Sequence, residues 1–485
     1  MKSFIQSLLF ILVIAAVAFY FFGNPRWIGL DKMPFSGNNS NPKNIAAKGC
    51  NISQQEYDKA AAFEGLDLAA GDKLPASASL LQFAPTRRSQ GQQGSCVGWA
   101  SAYAARTITE AVATGANPND LAFSPAFLYN QIGLEGCEGT YTIRALEHLQ
   151  TKGVGFLKDF AYDENDCLRK PSAEQLEAAK NYKIRGFTRI SKGGDNFDLD
   201  LDALKQNIAQ GGCIIIAMHV PPSFGYAQGV DIWQPESGEA DDVSAHGGHA
   251  MCVIGYDDDK NGGSVQIMNS WGDNWGQNGV IWVNYKTFLT FCREGYAVFP
   301  SASSPKVSKD QFQVAFGLQK RKNNQLTDFI TLKKTGKNSF ATSKPLQVGE
   351  SFKIVVENSK DCYVYIFGLD TDQSSYVLFP YKKTSPYFGV TGTRTFPKNK
   401  SFTVDDQGTA DYMAIVASKE PIDENELNEA ISNSDAGSFE ARIKDALGAE
   451  MISNAAWKIA DDAIMFDGNR AGGNALVAVF RIDKN

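Results

Sequence analysis

Every position from Leu8 to Phe22 is apolar, with only Lys2 charged ahead of the run and Gly23, Asn24 and Pro25 closing it. A run at the N-terminus with no polar face is a membrane-inserting segment and not a core helix. It is shorter than the roughly 20 residues of a comfortable span, as in a signal peptide, while the weak cleavage signal after it suits a retained anchor. Residues 1–24 are therefore expected to be a signal peptide or N-terminal membrane anchor, and either form exports the remainder. Residues 25–74 mix Asn, Gly, Ser and Lys around one short helical stretch near Gln54 to Phe63, the pattern of a linker or short pro-segment. From there the periodicity predicts helices over Ser95–Thr114, stopped by Gly115, and Thr142–Thr151, stopped by Gly153. Beyond Asp200 the pattern changes to strand-like runs, "CIIIAMHV", "HAMCVIGY", "SVQIMNSW" and "GVIWVNY", separated by Gly, Asp and Asn. Helices followed by strands indicate an α+β domain over residues 75–300.

A stretch rich in Ser, Pro and Lys, "PSASSPKVSKDQ", reads as a linker over 301–312. Residues 313–485 then carry short alternating strands such as "SFKIVVEN", "CYVYIFGLD" and "ALVAVFRI", with a helical insert from about Glu424 to Leu447. This second domain is expected to be mainly β and sandwich-like. Alternate aromatics at Tyr363, Tyr365, Phe367, Tyr376, Phe379 and Tyr381 fit cross-strand core packing better than a binding face.

Composition narrows the function classes. A net charge of −7 without a basic stripe argues against nucleic acid as a partner. An apolar content of 43% with 21% charged residues is that of a globular protein. Eight cysteines are too few for a disulfide scaffold, yet an exported chain can oxidise a pair, and Cys137 and Cys167 sit in suitably polar, turn-like surroundings. Cys213 and Cys252 lie inside apolar runs and read as small buried hydrophobes, with Cys50, Cys292 and Cys362 unassigned. No metal-ligand or phosphate-cradling motif occurs, so no cofactor or metal is expected. The run Asp257, Asp259, Asn261, Gly262 begins like a calcium loop, but its twelfth position is Met268, and it reads as a hairpin turn.

Four features carry chemistry. Cys96, in "QGQQGSCVGWA", opens an Ala-rich helix whose unpaired N–H groups favour a thiolate. Gln90 lies across a Gly-rich turn from it and can supply an amide donor to an oxyanion, with Gln92 and Gln93 as chemical equals. His249 enters the strand "HAMCVIGY", one of only four histidines beside His148, His219 and His246. Asn269 begins "NSWG" at the end of the following strand, where antiparallel pairing can bring it beside His249.

Together these features resemble the papain-like cysteine peptidases, whose signatures are a Gln six residues before the Cys, a His-Ala strand and an Asn-Ser-Trp-Gly strand. The resemblance extends from about Leu74 to Pro300, including "LPASASLLQFAP" and the glycine turn "WGDNWGQNG". It implies a helical left half and a β-barrel-like right half, with Cys96 as nucleophile, His249 as acid/base, Asn269 orienting that histidine and Gln90 in the oxyanion hole. It also gives Gln90 its preference over Gln92 and Gln93. Trp271 is implied to shield the His–Asn hydrogen bond, and "GCEGTY" resembles the substrate rim, placing Gly139 and Thr140 against substrate. Three departures stand out. Gln93 replaces a family cysteine, so Cys137 is left to pair with Cys167; Val97 replaces the aromatic residue after the nucleophile; and Thr140 replaces a rim glycine, which weighs against backbone pairing with substrate. No long inhibitory pro-region precedes Leu74. The C-terminal segment resembles small bacterial envelope domains of unknown function.

The expectation is an exported cysteine endopeptidase of the cell envelope, acting on a peptide or protein substrate through an acyl-thioester. It is held to the membrane if its first segment is retained, with an envelope partner for the second domain. A transpeptidase or ligase using the same thioester, or a non-catalytic envelope binding module, are the alternatives.

Overall fold

The first half is organised around one buried helix. In the computed structural model, which describes residues 47–68, 73–192, 197–300, 311–323, 325–453, 455–460, 463–469 and 472–485, residues 96–114 form a continuous helix whose middle, Trp99–Arg106, is wound as a π-helix. Its side chains from Cys96 to Thr109 are all buried, and the many alanines let neighbouring elements approach the helix from every side. Gly115 ends it at φ 73, a conformation that favours glycine. Helix Pro125–Ile132 packs against it, started by Ser124, whose hydroxyl accepts from Phe127 N, and by a proline at the first turn. Helix Thr142–Thr151 spans the residues read from the sequence.

The strands form one sheet against this helical layer. They are β1 (Ser77–Ser79), β2 (Gly186–Arg189), β3 (Ile214–His219), β4 (Ile232–Trp233), β5 (Gly248–Asp257), β6 (Ser264–Met268), β7 (Val280–Asn284) and β8 (Cys292–Phe299), in the order β2-β8-β3-β5-β6-β7-β4 with β1 on β5. Pairing is antiparallel except between β4 and β7. β3, β5 and β6 are buried on nearly every position, which explains why their sequences read as continuous apolar runs and not as alternation. The β5–β6 hairpin turns at Lys260–Gly262, where Asn261 takes φ 52; this is the run that begins like a calcium loop.

The second half is two sheets face to face. One centres on Gln311–Lys322 between Ser351–Asn358 and Ile464–Asn469, the other on Ala410–Ser418 between Cys362–Leu369 and Ala475–Asp483. Phe316, Ile354, Ile366, Ile415 and Phe480 fill the space between them. Along Cys362–Leu369, Val364 and Ile366 point into this core, while Tyr363, Tyr365 and Phe367 belong to the cluster on the outer face. Of the six aromatics weighed as a binding face, Tyr363, Tyr365, Phe367 and Phe379 are buried and Tyr376 is exposed. The helical insert is two helices, Glu424–Asn433 and Phe439–Leu447. Residues 46–485 form a single compact unit in which Phe299 meets Tyr387 edge-on at 4.9 Å and Arg185 pairs with Asp361 at 3.1 Å.

One part of the reading is corrected: the segment is not a loose linker. Within 25–74, read as a linker or short pro-segment with too few large apolar residues for a core, residues 47–68 pack into the molecule. Tyr57 is fully buried, with its hydroxyl donating to the carbonyls of Ile190 and Gly295, and Phe63 and Leu66 are buried too. Few apolar side chains suffice because this stretch is held through its backbone. The helix expected over Gln54 to Phe63 is only Gln54–Tyr57. The apolar run Leu8 to Phe22 and most of the 301–312 linker lie outside the described residues, among which no helix is long and apolar enough to cross a membrane.

Candidate active site

Sheet register brings the catalytic candidates together. His249 is the second residue of β5, opposite Met218 of β3, and Met268 of β6 pairs with Cys252, so Asn269 falls back alongside His249. His249 Nε2 and Asn269 Oδ1 are 2.7 Å apart, and Asn269 Oδ1 also accepts from Ser270 N. That fixes the tautomer: with an oxygen as partner, Nε2 carries the proton and Nδ1 keeps a lone pair. Nδ1 is buried with no hydrogen-bond partner. On the helix opposite, Cys96 Sγ accepts from the backbone N–H of Ala250 at 3.5 Å, which holds the thiol beside the imidazole strand. Trp271 lies over His249, ring centroids 4.3 Å apart and planes at 22°.

Gln90 is fully buried and tied into the same strand end. Its backbone N–H donates to Ser270 O, Ser270 Oγ donates to Gln90 Oε1 at 2.7 Å, and Gln90 Nε2 donates to Gln93 O at 2.9 Å. Gln92 is tied by its backbone to Glu164, and the Gln93 side chain donates to the carbonyls of Asp163 and Glu164, away from the cleft. The other histidines lie apart from Cys96 and Asn269 in hydrogen bonding: His148 is buried in its helix with Nε2 also unpartnered, His219 Nδ1 meets His246 O, and His246 Nε2 meets Glu239 O.

Residues 82–298 match the profile of the Papain family cysteine protease family. The chain carries a papain-family cysteine protease domain. Over 199 residues it is 31% identical to cathepsin K of Mus musculus, an alignment covering 40% of this chain and 54% of that protein. It is 30% identical over 209 residues to an uncharacterized peptidase C1-like protein of Acanthamoeba polyphaga mimivirus, covering 41% and 63%. The chain thus spans less than two thirds of the length of these relatives. Among solved structures it is similar to xylellain, a cysteine protease from Xylella fastidiosa, at 22% identity and a TM-score of 0.43, covering 55% of this chain and 100% of that one. Residues 345–421 match a domain of unknown function, DUF4384.

The protease domain is closed in this structure. Residues 47–51 run across the cleft, where Gln90 Nε2 donates to Ala47 O at 2.7 Å and Lys48 Nζ to Val220 O at 2.7 Å. Thr140 N donates to Gly49 O and Thr140 O accepts from Asn51 N, each at 2.9 Å. The Thr140 departure therefore does not prevent backbone pairing: the Thr140 hydroxyl turns away to Ile132 O, leaving the rim backbone free. Glycines make room for the segment, since a Cβ on Gly139 would stand 2.3 Å from Gly49 O and one on Gly248 2.2 Å from Cys50 O. Behind it, Glu294 Oε1 accepts from Ser53 N at 3.1 Å.

Burial shifts both groups of the pair. Burial pushes the Cys96 thiol up to about 12, overriding the N–H groups of Ala250 and Val97 that favour the thiolate. Burial, helped by the ammonium of Lys48, pulls His249 down to about 3 despite the Asn269 bond. Both shifts favour the uncharged forms, against the thiolate that the helix N-terminus favours. Cys137 and Cys167 form a disulfide, with Cα atoms 6.1 Å apart. Among the described residues no group of acidic, histidine or cysteine side chains is arranged to hold a metal ion. Sequence reading missed Ser270 and the covering segment. The first stood inside the "NSWG" motif as a usable signal; the second had none, because backbone bonding leaves no side-chain pattern.

Proposed function

We propose that this chain is an exported cysteine endopeptidase that hydrolyses peptide bonds of protein substrates through a Cys96 acyl-thioester. The observation that carries the reading is the unpartnered Nδ1 of His249, whose other nitrogen is fixed by Asn269, on the strand that also holds Cys96 Sγ through Ala250 N. With the covering segment gone, His249 Nδ1 takes the Cys96 proton and the thiolate attacks the scissile carbonyl carbon. The oxyanion is received by Gln90 Nε2, which here already donates to a peptide carbonyl, that of Ala47, and by the Cys96 backbone N–H. The imidazolium protonates the leaving amine, and the imidazole then activates water to release the acyl group as a carboxylate. Gly139 and Thr140 present a backbone edge to the substrate, as they do to residues 49–51.

Export is supported by the apolar run Leu8 to Phe22 and by the Cys137–Cys167 disulfide, a bond characteristic of oxidising compartments. We place the protein at the cell envelope, where the C-terminal domain would meet its partner. The test compares the full chain with Cys96→Ala and His249→Ala on a fluorogenic peptide library. Turnover in the wild type that is lost in both variants supports the reading; a wild type that binds peptides and cleaves none, with residues 47–68 deleted, refutes it.

A further inference from the structure

The segment covering Cys96 continues into a stretch gripped from two sides. Toward the protease domain, Arg189 N donates to Ala61 O and Phe63 N to Arg189 O, both at 2.9 Å, and Leu66 N donates to the Gln206 side chain at 2.9 Å. Toward the C-terminal domain, Ala62 N donates to Lys383 O at 2.7 Å and Ser385 N returns a bond to Ala62 O at 2.8 Å. Asp67 N donates to Thr393 O, Thr395 Oγ1 donates to the Asp67 carboxylate at 2.6 Å, and the buried Arg394 donates from Nε to Glu64 O at 2.9 Å. Two ion pairs frame the grip, Lys383 with Asp58 at 3.4 Å and Lys398 with Glu64 at 3.3 Å. Residues 58–67 are therefore an extended segment shared between the two domains, bridged to both at Ala62.

We propose that the C-terminal domain is a latch: by holding residues 58–67 it keeps residues 47–51 seated over Cys96, and loosening that hold opens the cleft. The inference rests on the peptidase reading of the same site. The cleft contacts of residues 47–51 are a handful of backbone bonds, including two long ones of 3.5 and 3.3 Å from Gly49 N and Cys50 N to Gly248 O. Each such bond nets little against the chain entropy lost in ordering the residues that make it. An arm held from both sides at residues 58–67 has a higher effective concentration at the cleft than one held by the protease domain alone, so the C-terminal grip adds to occupancy. The domain that carries no chemistry thereby controls access to the domain that does. Whatever draws residues 383–398 away from the segment, a partner of the C-terminal domain above all, becomes an activator.

The test uses two variants of the full chain and two readouts, Cys96 alkylation by iodoacetamide located by mass spectrometry and hydrolysis of a fluorogenic peptide. Lys383→Glu with Lys398→Glu sets like charges against Asp58 and Glu64 at half-exposed positions, and alkylation is expected to rise about fivefold to tenfold. Ala62→Cys with Thr384→Cys links the segment to the domain at residues already bridged backbone to backbone; alkylation is expected to fall below wild type and to recover on reduction. Wild-type rates in the charge-reversed chain, or undiminished alkylation in the cross-linked one, overturn the latch. Faster alkylation with no peptide cleaved keeps the latch and sinks the peptidase reading. Equal hydrolysis by all three proteins keeps the peptidase and removes the latch.

Discussion

In the protease domain the buried imidazole of His249 has one nitrogen bonded to Asn269 and the other bonded to nothing, and Asn269 Nδ2 and Trp271 Nε1 beside it are likewise buried without partners. In the C-terminal domain the buried guanidinium of Arg394 is served on every side: Nε donates to Glu64 O, one amino group to Asn358 Oδ1 and the other to Val390 O, and its plane lies 4.1 Å over Phe388. An unpaired buried polar atom costs about 1–3 kcal/mol, so a fold keeps one only where something else is gained. The first arrangement holds a lone pair ready for a proton; the second fixes a surface. On the proposed reading, chemistry belongs to one domain and control of geometry to the other, and each side of that contrast can be attacked.

The largest effects belong to the cleft. Cys96→Ala is expected to lower kcat by at least about 10³-fold while leaving the melting temperature near wild type, because the thiol supports little of the core beyond its own volume. Gln90→Ala removes an oxyanion donor and is expected to cost about 10² to 10³ in kcat, read on the same peptide. In the sandwich, Phe316→Ala empties a fully buried site and is expected to destabilise the domain by about 3–5 kcal/mol in urea titration. By the latch argument it also quickens Cys96 alkylation before global unfolding, and a C-terminal domain that melts without exposing Cys96 would break the contrast.

A subtler effect is pH dependence. Glu294 is raised to about 7, first by burial, with Ser53 N and Tyr296 pulling the other way. An acid whose folded pKa is raised binds its proton more tightly in the folded state. Its contribution is therefore full below the ordinary value near 4.5 and is lost as pH rises through about 7. The covering segment, which Glu294 meets at Ser53, is expected to protect its amides less as pH rises from 5 to 8; hydrogen exchange checks this, and Glu294→Gln should flatten the profile. Smallest of all, Lys59→Ala removes an exposed i,i+3 pair with Glu56 and is expected to shift stability by less than about 0.5 kcal/mol in thermal denaturation.

Much of the site was legible in the sequence because catalysis demands particular residue types at particular backbone positions. Cys96 needs a helix start, His249 a strand entry and Asn269 a neighbouring strand end, and each leaves its mark in the local sequence. Choosing Gln90 over Gln92 and Gln93 required the family resemblance, since three amides in one loop are chemically equal until their side chains are aimed. The sandwich was readable as a class from short alternating strands, but its partition into two sheets was not, because strand pairing is set by contacts distant in sequence. The shift at Cys96 has a related cause: a helix N-terminus is local and favours the thiolate, while the burial that works against it is a property of the whole fold.

The sequence by itself determined the chemistry we propose, since the nucleophile, base, orienting amide and oxyanion donor of that reading are side chains that must be written at their positions. Only the tertiary structure decided that the site is shut, which residues shut it and what holds them there. Many of those contacts run through backbone N–H and carbonyl groups that every residue possesses, and the side-chain ones join residues far apart in sequence, so no local pattern announces them.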